Sequence, residues 1–504
     1  MASTPPPAAA VAETHISWVF FTSDRAFKIL KPIRTEFLDY SSMELRARAC
    51  HREVALNCRL SPDVYLGVSP ILERGEVVDH MIVMRRLPSS RRLSALAGSD
   101  ELVDRVREVA RVLAHFHASL PADPGAARVA RVGWLRQLWT AENLDQMTAQ
   151  VRDGRPVHDP GLLAEVRQRA LDYLDARDPL FEARIAQGHV VDGHGDLLAD
   201  DIFCLPDGPR ILDCLAFDDD LRRGDVLADL AFLAMDLEAL PGGSGAADEL
   251  VRTYDELTAE HHPRSLLHFY VAQRALVRAK VRGLRSLQGD DDQCREAAAE
   301  ARLRLHQCLD HLRAATVRLV LVGGAPGTGK TTVAAAVADA LGATTLSSDE
   351  LRKDLEGVAR SDHRGASLDH GLYAPEVTER TYRELMRRAE HLLHLGESVV
   401  LDASWTTSEH RTWARQVAVA THSELHELRC ELDPAVASER VARRLGAPEG
   451  AAAAGASDAT PGIARALAAR AEPWTEALTL DTSGERGATL AAALELLGIP
   501  TTSV

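Results

Sequence analysis

The plainest chemistry in the chain lies in one stretch of its second half, Gly324-Ala325-Pro326-Gly327-Thr328-Gly329-Lys330-Thr331. A glycine, four residues and then Gly-Lys-Thr is the P-loop pattern, a loop that wraps a nucleotide phosphate. Residues without a Cβ let backbone N–H groups close around the anion, and the start of a following helix adds a partial positive charge. At this spacing Lys330 is expected to reach the β and γ phosphates, and Thr331 to ligate Mg²⁺. The flanks separate such a loop from a chance glycine-rich turn. Val317 to Val322 is a short, apolar, β-prone run and reads as a buried strand. The Ala-rich run from Thr332 to Leu341 reads as a helix, with Gly342 as its C-cap. Gly324 to Thr332 is therefore the expected ATP-binding stretch.

A second group of charged side chains lies in the N-terminal half. His194-Gly195-Asp196 follows Val190-Val191; Asp201 stands five positions beyond Asp196, and Asp213 seventeen beyond it. Ile202 to Leu205 and Arg210 to Cys214 read as two short strands around the turn Pro206-Asp207-Gly208-Pro209, each with an aspartate near its end. Aspartate is also an ordinary turn residue. The order and spacing nevertheless resemble the catalytic region of aminoglycoside phosphotransferases and choline-kinase-like enzymes, which are relatives of protein kinases. That resemblance implies that Asp196 is the base toward an acceptor hydroxyl and that Asp213 holds Mg²⁺. It places Asp201 where the family has a metal-binding asparagine. Ala26-Phe27-Lys28 resembles the strand with the phosphate-binding lysine, and Glu53 would be its ion-pair partner. Met84 to Leu87 would be the hinge, and Gly224-Asp225 with Asp229-Leu230 the support segment. The chain departs from the family in having no glycine before Gly67, so the glycine-rich phosphate loop is absent, and in carrying Leu198 where a histidine is usual. A fold resemblance does not carry a substrate with it, and no antibiotic-resistance role follows.

The C-terminal half has its own resemblance. Thr345 to Asp349 reads as a strand ending in a carboxylate, with Arg352 three residues on, which resembles polynucleotide-kinase-like and zeta-toxin-like P-loop kinases. The resemblance makes Asp349 the base and Arg352 a phosphate or acceptor ligand. Asp349 could equally N-cap the helix that runs through Leu355. Ser398 to Asp402 reads as an apolar strand whose terminal Asp402 supports Mg²⁺. Arg411, on the helix after Ala403-Ser404-Trp405, is expected either in the acceptor region or at the surface. Arg440, Arg443 and Arg444 form a basic helix leading into the Ala/Gly tract 446–455. That is the pattern of a lid that lays arginine on the transferring phosphate, and equally of a solvated basic face.

These groups need two scaffolds to position them. A chain of 504 residues is too long for one core. At 46% hydrophobic and 26% charged it has an ordinary globular composition. No run approaches about 18 apolar residues, the length of a membrane span. The net charge of −16 disfavours a nucleic-acid or membrane-surface partner, though a nucleic-acid 5′-hydroxyl stays open as an acceptor for the C-terminal half. Seven scattered cysteines without a CxxC, and no signal-peptide pattern, point to reduced thiols in a cytoplasmic protein. The expected architecture is α/β and α+β: a disordered tail (1–12), a bilobal protein-kinase-like domain (13–262), a helical bridge (263–315), and a P-loop domain with a parallel sheet flanked by helices and a lid (316–504). The expected function is transfer of the ATP γ-phosphate to a small hydroxylated acceptor, with Mg²⁺ and a possible second kinase site. The alternative is an ATPase or nucleotide sensor whose N-terminal half is a silent ligand-binding module. Neither the acceptor nor the oligomeric state is set by the residues.

Overall fold

The β-prone runs of the N-terminal third form an antiparallel sheet of five strands: β1 (Ala10–Glu13), β2 (Ser17–Phe21), β3 (Arg25–Leu30), β4 (Tyr65–Glu73) and β5 (Glu76–Arg85), in the order β1-β2-β3-β5-β4. The computed structural model describes residues 10–14, 16–34, 38–259, 261–288, 290–359, 371–445 and 459–499. Ala10 to Ala12, expected within a disordered tail, are instead strand, because β2 offers its edge to their backbone N–H and C=O groups; residues 1–9 lie outside the described part. Between β3 and β4 runs the helix Met43–Asn57, capped by the Ser42 hydroxyl, which accepts from the Leu45 N–H at 3.3 Å. Its Cys50 joins Leu30, Val64, Tyr65 and Ile82 in a core that fixes the helix to the sheet.

The rest of this part is mainly helical, with short antiparallel pairs set into it: β6 (Val151–Arg152) with β7 (Arg155–Pro156), β8 (Val190–Asp192) with β11 (Arg223–Asp225), and β9 (Ile202–Leu205) with β10 (Gly208–Ile211). The helix Val226–Glu238 is apolar nearly all round and correspondingly buried.

The C-terminal part is a parallel sheet of five strands: β12 (Arg318–Gly323), β13 (Thr344–Ser347), β14 (Val399–Asp402), β15 (Glu424–Glu431) and β16 (Leu478–Asp481), in the order β13-β14-β12-β15-β16. Leu319 to Val322 are fully buried, as expected of a central strand covered on both faces.

The chain divides into two compact units. One holds the described residues up to Gln168 with Phe181–His262 and Leu267–Leu312; the other holds Arg169–Leu180, Pro263–Leu266 and the described residues from Arg313 onward. Leu267–Leu312, within the stretch expected to bridge the domains, belongs to the first unit. Arg169–Leu180 belongs to the second, where the buried Arg177 donates to the Thr421 carbonyl at 2.7 Å and His394 bonds the Ala176 carbonyl at 2.8 Å. Among the described residues no helix is long and apolar enough to cross a membrane.

Candidate active sites

In the second unit the strand order reverses at β12, whose neighbours are β14 and β15, and a loop leaving such a strand opens into a crevice. Gly324, Gly327 and Gly329 of that loop all have positive φ. At Gly327 a Cβ would also run into the Ala437 carbonyl and the Val441 side chain, so the helix Pro434–Leu445 lies against the loop and only glycine fits beneath it. The helix Lys330–Leu341 starts at the lysine and has Gly342 as its C-cap.

Thr331 Oγ1 donates to Asp402 Oδ2 at 2.7 Å. The other carboxylate oxygen of Asp402 is buried and has no hydrogen-bond partner. Burial raises the Asp402 pKa, Lys330 opposes the rise, and the charges of Asp349 and Glu350 add to it. A hydroxyl beside a carboxylate oxygen that lacks a donor fits the partial shell that Mg²⁺ takes from protein, the remainder coming from phosphate and water. Asp349 sits inside the first turn of the helix Ser348–Leu355, whose N-cap position falls to Ser347, so the capping alternative does not hold. Arg352 is buried and donates to Asp349 at 3.4 Å.

Arg411 is not the surface residue that was one of the two expectations for it. It is 2% exposed, and its two terminal nitrogens donate to the carbonyls of Trp405 (2.7 Å) and Pro473 (2.8 Å). Two loop carbonyls inside the fold need donors, and one guanidinium supplies both. Arg440 lies beside Gly329 and donates to the Thr482 carbonyl at 3.3 Å. Arg443 is exposed, 3.7 Å from Glu439. The Arg444 side chain and the tract 446–458 lie outside the described residues. A cavity of about 820 Å³ opens against the loop, walled by Ala325, Pro326, Trp405, Ala437, Leu467 and Trp474. Trp474, one of six tryptophans, had no neighbouring motif to mark it.

In the first unit Lys28 on β3 reaches Glu53 at 2.8 Å and Asp213 at 3.4 Å. Burial favours the neutral amine, yet those two carboxylates hold the Lys28 pKa well above the usual lysine value. Asp213 has φ +61°, a left-handed conformation that aspartate tolerates better than most residues. The Lys28 charge lowers the Asp213 pKa. Burial pushes Asp196 up to about 6, with Arg278 opposing and Asp213 adding. Asp201 is raised by burial and then by Asp213 and Asp196. The Asp213 charge raises both Asp196 and Asp201, and carboxylates that crowd one another in this way fit a cation among them. They do not close into an all-protein cage. The described trio whose ligand atoms come within 4.8 Å of one another is Asp172, Asp175 and His422, in the second unit. Mg²⁺ is ordinarily held by one or two carboxylates plus substrate phosphate, which suits the looser arrangement.

The loop that carries Asp196 hangs on Asp229, from the support segment. Its carboxylate accepts from the N–H groups of His194 (2.6 Å) and Gly195 (2.8 Å). Gly195 has φ +84° and its missing Cβ would meet Arg222 Cα at 2.8 Å, so the loop is passable only to glycine there. The buried His194 bonds the Leu212 carbonyl through Nε2 at 3.0 Å and takes the Asp196 N–H on Nδ1 at 3.4 Å, tying Asp196 to the strand end that bears Asp213. Burial lowers the His194 pKa, so this neutral tautomer is kept. His117, within 2.9 Å of the Tyr254 hydroxyl and 3.5 Å of Asp229, was missed by motif reading because it lies far away in sequence on the helix Leu102–Ser119.

A phosphotransferase enzyme family model matches residues 44–267, and an AAA domain model matches residues 319–461. Uncharacterized proteins of Mycobacterium tuberculosis and Mycobacterium bovis are each 39% identical over 478 residues, 94% of this chain and 93% of theirs. The chain belongs to their family. It joins an aminoglycoside-phosphotransferase-like half to a P-loop kinase half. Solved structures similar to the P-loop half include a sugar kinase from Janibacter sp. HTCC2649, at 21% identity, covering 37% of this chain and 98% of that one with a TM-score of 0.29. Over the phosphotransferase half, a choline/ethanolamine kinase family protein from Mesorhizobium loti is 15% identical, covers 62% of this chain and 94% of that one, and has a TM-score of 0.37.

Proposed function

We propose that the protein is an ATP- and Mg²⁺-dependent kinase that transfers the γ-phosphate to the hydroxyl of a small molecule, with nucleotide held at Gly324–Thr332. The observation that carries this reading is the pairing of Thr331 with Asp402 beside a buried, unpartnered carboxylate oxygen, at the mouth of a loop that only glycine can form. Lys330 binds the β and γ phosphates. Asp349, steadied by Arg352, takes the proton of the acceptor hydroxyl. Mg²⁺, when bound, neutralises charge on the transferring phosphoryl group.

In the phosphotransferase half the same reaction falls to Asp196 as base, with Asp213 and Asp201 for the metal and Lys28 for phosphate. A second reading makes this half a silent ligand-binding module. It is favoured by the sequence before Lys28, which holds no glycine and so no glycine-rich phosphate-covering loop. The deciding experiment follows labelled γ-phosphate from ATP into a pool of cell metabolites with wild type, Lys330→Ala and Asp196→Asn. A product lost only in Lys330→Ala assigns transfer to the P-loop half and silence to the other. Distinct products lost in each variant assign a reaction to each half. Free phosphate alone, abolished in Lys330→Ala, means an ATPase, and no turnover in the wild type overturns the enzyme reading.

A further inference from the structure

The helix Met43–Asn57 ends on a polar residue, Asn57, that is only 1% exposed. Asparagine is a weak helix former, and burying its amide costs free energy unless both ends are bonded. Here both are. Nδ2 donates to the Glu53 carbonyl at 2.9 Å, and Oδ1 accepts the Cys214 N–H at 2.9 Å. A carbonyl only accepts and an N–H only donates, so the amide has one orientation. Glu53 stands one helical turn before Asn57, at the spacing of neighbours on one face. Cys214 directly follows Asp213.

These two bonds close a ring. Lys28 Nζ lies 2.8 Å from Glu53 and 3.4 Å from Asp213, so it joins the same helix turn to the same strand end by a second route. The two links differ in kind. The link through Lys28 is ionic and uses the groups that a phosphate and a metal would take. The link through Asn57 is neutral and uses only backbone groups of its neighbours, so those ligands do not compete for it. Asp213 needs such a hold, because its φ of +61° is a conformation that few L-residues adopt. Its own N–H reaches the Tyr65 hydroxyl at 3.4 Å, a long bond. Arg59, just beyond the helix, donates to the carbonyls of Asp192 (2.7 Å) and Gly193 (2.6 Å), at the start of the loop that carries Asp196. The end of one helix thus grips both segments that bear the carboxylates.

We propose that Asn57 is a positioning residue of the phosphotransferase half: it keeps the Asp213 carboxylate in place against the Lys28–Glu53 pair once phosphate draws on Lys28 and Mg²⁺ on Asp213. This rests on the reading of Lys28 and Asp213 as the phosphate and metal ligands of that half. Asn57 touches neither ligand. It acts through the Cys214 N–H on the backbone of Asp213, as an outer hydrogen-bond partner acts on a metal ligand. Its loss lowers the affinity for the metal, and enough metal restores the rate.

The test uses the full chain carrying Lys330→Ala, so that phosphate binding at the P-loop is suppressed. Mn²⁺, standing in for Mg²⁺, is titrated and the free ion followed by electron paramagnetic resonance. The saturable binding that Asp213→Asn abolishes is the site's own. Asn57→Leu is expected to raise the Mn²⁺ Kd of that site about tenfold or more. Asn57→Ala removes the same two bonds without adding bulk, is expected to do the same, and decides the matter if the leucine variant does not fold. Ser61→Ala is the control. The buried Ser61 hydroxyl donates to the Ile211 carbonyl at 2.8 Å, a bond to the same segment that bypasses residue 214. Its loss should lower the denaturation midpoint and leave the Mn²⁺ Kd unchanged. With labelled ATP, the Mg²⁺ concentration for half the Asp196-dependent rate should rise in the Asn57 variants by the factor seen with Mn²⁺, while the rate at saturating Mg²⁺ stays within a few-fold of wild type. An Mn²⁺ Kd that the Asn57 variants leave unchanged, or that Ser61→Ala raises as much, overturns the proposal and leaves the kinase reading standing. No Asp213-dependent Mn²⁺ binding in the Lys330→Ala chain removes the metal reading of Asp213 and the proposal with it. Asn57-dependent binding without any Asp196-dependent product keeps the positioning role and removes the transfer reading.

Discussion

Asp402, which is buried, and Asp196, which is half-buried, both have raised pKa values, and the same cause gives them different tests. Burial makes the ionised form of Asp402 costly, so the folded state holds its proton more tightly than the unfolded chain does. The stability cost therefore grows as pH rises from the unfolded value through the folded one. Asp402→Asn removes that cost: thermal denaturation at neutral pH should show a midpoint no lower than wild type, while kcat of the P-loop reaction falls about 10²-fold or more. A large drop in the midpoint would mean that Asp402 is structural. For Asp196, pushed up to about 6, the ionised form is the one that can accept a proton. The kcat/KM of the Asp196-dependent reaction should fall about tenfold per pH unit below that value, and a profile flat to about pH 5 would exclude Asp196 as the base. These carboxylates were legible in the sequence because they stand at strand ends at motif spacing. The burial of Arg411 is not legible in the sequence, because a position on a helix does not reveal which loop carbonyls still need donors.

At the level of elements, two contacts decide whether the sites are assembled at all. The helix Pro434–Leu445 rests on the P-loop through Gly327, so Gly327→Ala forces a Cβ into the Ala437 carbonyl at a backbone angle alanine dislikes. A loss of about 1–3 kcal/mol by chemical denaturation is expected, together with weaker nucleotide binding; an unchanged midpoint would mean the helix gives way freely. In the phosphotransferase half, Asp229→Ala leaves the N–H groups of His194 and Gly195 buried without an acceptor, at about 1–3 kcal/mol each. Its Asp196-dependent product should vanish, and Asp229→Asn, which keeps one acceptor oxygen, should be milder. Most strands and the first helix could be read from apolar runs and turn residues. The strand Ala10–Glu13 could not, since Ala-Val-Ala-Glu has little strand character until β2 supplies an edge.

For the whole molecule, the order of the two halves was readable because each announces itself by a motif, whereas the path of the chain between them was not. That Arg169–Leu180 belongs with the P-loop half rests on buried contacts such as Arg177 to Thr421, between residues 244 positions apart, and no local pattern encodes those. Two possible nucleotide sites in one chain make ligand stabilisation the most discriminating measurement. A ligand that binds only the folded state at about 100 times its Kd adds about 2.7 kcal/mol. For a unit of this size that moves the midpoint by roughly 5–10 °C. ATP with Mg²⁺ should raise the wild-type midpoint by that order, and Lys330→Ala should remove the part owed to the P-loop. Any shift that remains belongs to the other half and must disappear when Lys28→Ala is added, if Lys28 is its phosphate ligand as proposed. No remaining shift in Lys330→Ala would mean that the half without a glycine-rich loop does not bind ATP, leaving it the role of a ligand-binding module. A remaining shift that Lys28→Ala does not touch would remove Lys28 from the phosphate site and, with it, the kinase reading of that half.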